Sequence, residues 1–295
     1  KYFPNIESVS LYDAKIQNLT CFANWNINTL ELVSCLGLND FCFLDNFPFL
    51  TSLDLRGCSG IQSVILEECS HLESLNISDC TGLQNCDFLI NCPDLKCLNL
   101  KGCSRITDFS NIAHCRQLAH LNLEKCSVLN LTFLDSLPFL THLNLNSCLL
   151  RFAVFGKSPS LQTLELRYCH DISFLENFPS LTHLDLNFSR EVQDLSVLEK
   201  CPLLIDLQLM NCAAVKNFDF LGNCPSLTNL DLTNCNVFLV KQSNNSYYKQ
   251  TLDLYSFANP PPLKKLKVTS PRMIDYFVVR ELKNRGVDIQ HYSYV

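Results

Sequence analysis

The segment LTSLDLRGC, Leu50 to Cys58, returns along the chain as LESLNISDC, LKCLNLKGC, LAHLNLEKC, LTHLNLNSC, LQTLELRYC and LTNLDLTNC. No other feature constrains the fold so tightly. Counted from the leading apolar residue, units begin at Ile6, Ile27, Leu50, Leu72, Leu95, Leu118, Leu140, Leu161, Leu181, Leu204 and Leu227. From Ile27 to Leu227 there are nine steps over 200 residues, a mean of 22.2. Leucines at positions four and six alternate with polar residues at three, five and seven, the period of a strand with one apolar side. So short a strand cannot bury that side alone. Each unit must stack on the next, and equivalent strands stacked in order make a parallel sheet.

Between strands run phrases such as CDFLINCP, LTFLDSLP, ISFLENFP and FDFLGNCP, whose Phe and Leu are expected to return to the core from a short helical or 3₁₀ turn. Proline closes the turn two residues before the next strand, as at Pro93, Pro138, Pro179 and Pro225. Its fixed φ and missing N–H stop helix propagation there.

Eighteen cysteines would suggest a disulfide framework in a short secreted chain, but here they fall into columns. Nine occupy position nine (Cys35, Cys58, Cys80, Cys103, Cys126, Cys148, Cys169, Cys212 and Cys235), and five more stand three residues before a strand (Cys69, Cys92, Cys115, Cys201 and Cys224). A thiol is small, apolar and weakly hydrogen-bonding, which suits a position that turns inward beside backbone groups. Free thiols and a reducing, cytoplasmic compartment are the expectation. The sequons at Asn18, Asn76, Asn130, Asn187 and Asn244 are then incidental.

The chain has 295 residues, 47% hydrophobic and 18% charged, enough for a large core. No run of 18 apolar residues is present, and the start KYFPNIESVSL lacks the plan of a signal peptide, so no membrane partner is expected. Because the pattern is already running at Ile6, the segment reads as part of a longer polypeptide. The net charge of -6 is uneven: residues 263–295 carry seven Lys and Arg against three acids, and the remainder is acidic. An acidic body argues against nucleic acid as a partner.

Past Cys235 the period fails, and LKKLKV begins at Leu263. The reading is one solenoid over 1–295: repeats to 235, an inserted loop over 236–262, and a closing repeat and cap over 263–295. A competing register makes Leu252 and Leu254 a further strand. SPRMIDYFVVRELKNRG predicts an amphipathic helix from about Arg272 to Asn284 ended by Gly286, with VDI as a last strand.

Phrases such as CPDLKCLNLKGCSRI, Cys92 to Ile106, resemble the cysteine-containing leucine-rich repeat of F-box substrate receptors and are similar to the repeats of effectors delivered into host cytosol by intracellular bacteria. The resemblance implies an α/β leucine-rich-repeat solenoid of about twelve or thirteen repeats. It would be a curved horseshoe with a parallel sheet on its concave face and short helical or 3₁₀ turns on the convex one. It also implies a non-enzymatic module that binds a protein, in host cytosol if an effector. The alternative is the substrate-recognition part of a ubiquitin ligase or another enzyme whose catalytic domain lies outside this chain. The repeat at Leu181 departs by starting after only 20 residues and by carrying Ser189 in the cysteine column.

Positions three, five and seven should project from the sheet. Position five is a column of acids and amides, readable either as a solvated face joined by side-chain ladders or as a recognition strip. The candidate partner-binding residues are Arg56, Lys101, Glu124, Asn144, Glu165, Arg167, Tyr168, Asp185, Phe188 and Met210. Arg, Tyr and Met are favoured interface anchors, and Tyr168 and Phe188 stand at position eight, where most repeats have small or polar residues. Cys97, His120 and His142 should be lateral neighbours at position three. A thiol–imidazole pair or partial zinc site is one reading of them, but exposed polar residues of a binding face is the one adopted, with no metal, cofactor or small-molecule substrate expected.

Overall fold

The computed structural model describes residues 6–16, 19, 22, 25–38, 44, 47–64, 70–215, 217–235, 240–241, 247–248, 261–269 and 276–291. The chain forms two compact units, Lys1–Ser160 and Leu161–Val295. In the first, strands β1 (Ser8–Tyr12), β2 (Thr29–Val33), β3 (Ser52–Asp54), β4 (Ser74–Asn76), β5 (Cys97–Asn99), β6 (His120–Asn122) and β8 (His142–Asn144) pair in parallel and in sequence order. Their register sets Leu53, Leu75, Leu98, Leu121 and Leu143 side by side. Beside them β7 (Asn130–Leu131) pairs in parallel with β9 (Val154–Phe155).

In the second unit β10 (Thr163–Glu165), β11 (His183–Asp185), β12 (Asp206–Gln208) and β13 (Asn229–Leu232) form the same kind of ladder. The inserted segment holds a short antiparallel pair, β14 (Val240–Lys241) with β15 (Tyr247–Tyr248). β13 pairs directly with β16 (Lys265–Val268), so no strand from the insert enters between them. Leu252 and Leu254 lie outside the described residues. Helix α1 (Tyr276–Asn284) follows, ended by Gly286 at φ 78°, and β17 (Asp288–His291) adds to β16 in parallel. The expected first turn of that helix, from Arg272, is also outside the described residues.

The leucines make this ladder because each strand has one dry side. Positions one, four, six and nine of a repeat are buried, as in Leu118, Leu121, Leu123 and Cys126. The FL phrases form 3₁₀ turns at Asp87–Asn91, Thr132–Ser136, Ser173–Asn177 and Asp219–Asn223, and SNIAH and SVLEK do the same at Ser110–His114 and Ser196–Lys200. They send Leu89, Leu134, Leu175, Leu198 and Leu221 inward. Each turn opens on an Asx cap; Asp108 Oδ1, for example, accepts the Ser110 amide at 2.8 Å.

The fifteen described cysteines are free, and all but Cys97 are buried. At position nine the thiols of Cys80, Cys103 and Cys126 donate to the carbonyls of Leu55, Ile77 and Leu100 in the preceding repeat, at 3.1, 3.2 and 3.1 Å. Ser189 does the same work with its hydroxyl, 3.3 Å from the Leu166 carbonyl. The column thus needs a small donor, which explains why serine can replace cysteine there. Among the described residues no helix is long and apolar enough to cross a membrane.

Candidate functional site

The exposed face of each unit's sheet is built from positions three, five and seven. At position five the acids and amides turn back on their own chain. Asp54, Asn76, Asn99, Asn122, Asn144, Asp185 and Asp231 each accept the amide two residues on, at 2.9–3.1 Å. This Asx cap stops the strand after position five and satisfies an amide that the turn would otherwise leave unpaired. Sequence reasoning missed it. The signal was the Asp or Asn at one fixed offset in seven of the repeats.

Side chains at positions five and seven also pair along and across repeats. Asn76 Nδ2 donates to Asp54 Oδ2 at 3.2 Å, Lys101 Nζ stands 3.0 Å from Glu124, and Lys267 Nζ is 3.1 Å from Asp231 Oδ2. Arg56 lies 3.5 Å from Asp54 of its own repeat, and Arg167 only 2.6 Å from Asp185 of the next. Tyr12 donates to Glu31 at 2.7 Å, which lowers the Glu31 carboxyl below its ordinary range and raises the Tyr12 phenol. Likewise the hydrogen bond to Asp185 raises the Arg167 guanidinium. The candidate residues Arg56, Lys101, Glu124, Arg167 and Asp185 therefore stand in ion pairs on the face. Asn144 is a cap, Glu165 is half-buried beside Arg167, and Met210 is half-buried with its amide bonded to Asn187 at 2.7 Å.

At position three the register does place Cys97 beside His120 and His120 beside His142. The two imidazoles stack, centroids 4.3 Å apart and planes at 29°, while Thr141 Oγ1 meets His142 Nδ1 at 2.9 Å. Burial raises the Cys97 thiol, which disfavours a thiolate there. Among the described residues no three His, Cys, Asp or Glu side chains are arranged to hold a metal ion. The column thiols are further from ligand character, since burial pushes Cys103 and Cys212 up to about 12.

Position eight carries the other unforeseen feature. From Asp13 to Asn234 its φ is positive in every repeat, between 50° and 74°. Six of those residues are Gly, Asn or Asp, the types that adopt this conformation most easily. Gly102 shows a second reason for small residues, because a Cβ there would meet the Asp79 carboxylate. Two successive repeats instead place Tyr168 and Phe188 in this backbone, each at φ 64°. Left-handed backbone disfavours such residues by about 1–2 kcal/mol each. Their rings stack, with centroids 5.2 Å apart and planes at 14°, and Tyr168 is 52% exposed.

With this geometry the comparisons agree. A family profile described as leucine-rich repeat matches residues 68–85. Among solved structures, the chain is similar to an internalin, InlF, from Listeria monocytogenes: 17% identity, TM-score 0.53, over 98% of this chain and 88% of that one. It is also similar to the leucine-rich repeat domain of APL1B, with 17% identity, TM-score 0.59, and 98% and 89% covered. A chain of the LRIM1/APL1C complex aligns with 21% identity and TM-score 0.61, over 89% of this chain and 48% of that one. The comparison with curated proteins found no match. The fold is a leucine-rich-repeat solenoid. Its repeats are of the cysteine-containing kind, with the thiols as core residues and backbone donors.

Proposed function

We propose that this chain is a non-enzymatic recognition module that binds a protein partner on the exposed sheet faces of its units. The observation that carries the reading is the network on each of those faces, in which Asx caps and inter-repeat pairs such as Lys101–Glu124 in the first unit and Arg167–Asp185 in the second hold polar side chains in fixed register. A surface ordered before binding loses little side-chain entropy on association. Arg56, Lys101, Glu124, Asn144, Glu165, Arg167, Tyr168, Asp185, Phe188 and Met210 supply its contacts. One solved structure of this fold is the LRIM1/APL1C complex, which supports the reading by analogy of architecture. Free thiols further support a reducing, cytoplasmic workplace.

The test is affinity capture from cytosolic lysate followed by mass spectrometry. The comparison sets the native chain beside Lys101→Glu with Arg167→Glu on the sheet face, and beside Glu176→Lys on a 3₁₀ turn. Captured proteins should be lost with the first variant and kept with the second. Capture indifferent to the face substitutions would overturn the reading.

A further inference from the structure

The repeats beginning at Leu161 and Leu181 meet along a seam of three side-chain pairs. On the sheet face Arg167 pairs with Asp185, at position eight Tyr168 stacks on Phe188, and in the turn beyond His170 Nδ1 stands 3.2 Å from Glu191. The aromatic pair is therefore bracketed by polar pairs, the plan of an interface hot spot with an apolar centre and a polar rim. Its backbone points the same way. Aromatic residues kept in a left-handed conformation, where six of the nine other repeats use Gly, Asn or Asp and the rest Ser or Lys, are a cluster of strain of the kind found at binding sites.

The rim also has a sign. Within three residues of the two rings, Glu165, Asp171, Asp185 and Glu191 outnumber Arg167 and Arg190. All six side chains are exposed or half-exposed. Aromatic rings beside surplus carboxylates favour a cation carried on an apolar stem, which can pack on the ring and reach the acids. We propose that the Tyr168–Phe188 seam anchors a basic segment of the protein partner, whose Arg or Lys packs against the rings with its charge toward the exposed Glu191 in the rim. This rests on the recognition reading above and names the chemistry of the partner.

The experiment selects displayed random peptides on the full chain and measures the winners against variants. Winners should be rich in Arg or Lys next to an apolar residue. They should bind Tyr168→Asn with Phe188→Asn at least about tenfold more weakly, and should lose affinity similarly when their Arg is replaced by citrulline. Asparagine suits the left-handed backbone, so the double variant should keep the native circular dichroism and melting curve, which are recorded alongside. Acidic or uncharged winners, or winners indifferent to the double variant, would overturn the proposal. Winners abolished only by Lys101→Glu would sink the seam and leave the recognition reading standing. No winner above background would count against both.

Discussion

Alkaline pH should unfold this protein through its own core. Burial raises the thiols of Cys58, Cys169 and Cys201 to about 11 and those of Cys86, Cys103, Cys115, Cys212 and Cys224 to about 12. Cys80, Cys126 and Cys235 are raised further. A group whose folded pKa exceeds its unfolded value contributes stability below the unfolded pKa and loses it as pH rises through the folded one. The window therefore opens near 9, the ordinary thiol value, and extends to about 11–12. One unit above that ordinary value each thiol has withdrawn about 1.4 kcal/mol. Over these eleven thiols the loss is about 15 kcal/mol, as large as the whole stability of a typical domain, about 5–15 kcal/mol.

Urea unfolding followed by far-ultraviolet circular dichroism, in reductant at half-unit steps from pH 7 to 10.5, measures this directly. The midpoint should be flat to about pH 8.5, fall steeply beyond it, and leave the chain unfolded near pH 10 without urea. Thiolate absorbance should rise together with the loss of structure. Replacing Cys80, Cys103 and Cys126 by Ser should flatten the slope by about 4 kcal/mol per pH unit, about 1.4 for each proton removed. A midpoint unchanged through pH 10, or thiolate absorbance near pH 9 exceeding that of the seven other cysteines in a chain with native dichroism, would refute the argument.

Ser158 is fully buried in the column that holds Cys92, Cys115, Cys201 and Cys224 in other repeats, and its hydroxyl has no hydrogen-bond partner among the described residues. Ser158→Cys should stabilise by about 1–2 kcal/mol in urea titration, since an unsatisfied buried hydroxyl costs about that much. Asn122→Ala removes the cap on the Glu124 amide and should cost about 1 kcal/mol, whereas Asn122→Asp should be close to neutral by the same measurement. Phe188→Asn should be more stable than Phe188→Ala by about 1 kcal/mol, because only the backbone preference differs once the ring is gone. Peptide mapping after brief native alkylation should find Cys97, the half-buried one, labelled before any other described cysteine.

Much of the ladder was legible because its cause is local and repeated. The alternation around Leu53, Leu75 and Leu98 and the nine-residue phrase that ends in cysteine require stacking whatever surrounds them, and the observed register follows. The 3₁₀ turns were legible for the same reason, as FL phrases stopped before Pro. The site was less so. Arg56, Lys101 and Arg167 read as anchors from residue type alone; Arg56 pairs with Asp54 of its own repeat, while the ion pairs of Lys101 with Glu124 and of Arg167 with Asp185 exist only once repeats stand side by side. Position five looked like a recognition strip or a ladder, and its first task proved to be capping the turn.

By itself the sequence determined the repeat, its dry leucine and thiol columns and the polar face opposite, because a strict beat of short apolar strands admits no other way to leave water. Only the tertiary structure decided that position eight is left-handed throughout, that Tyr168 and Phe188 hold that backbone and stack, and that the facing charges are already paired. Those properties belong to the closing of each turn against its neighbour. Backbone handedness and contacts between repeats arise there, and no single repeat contains them.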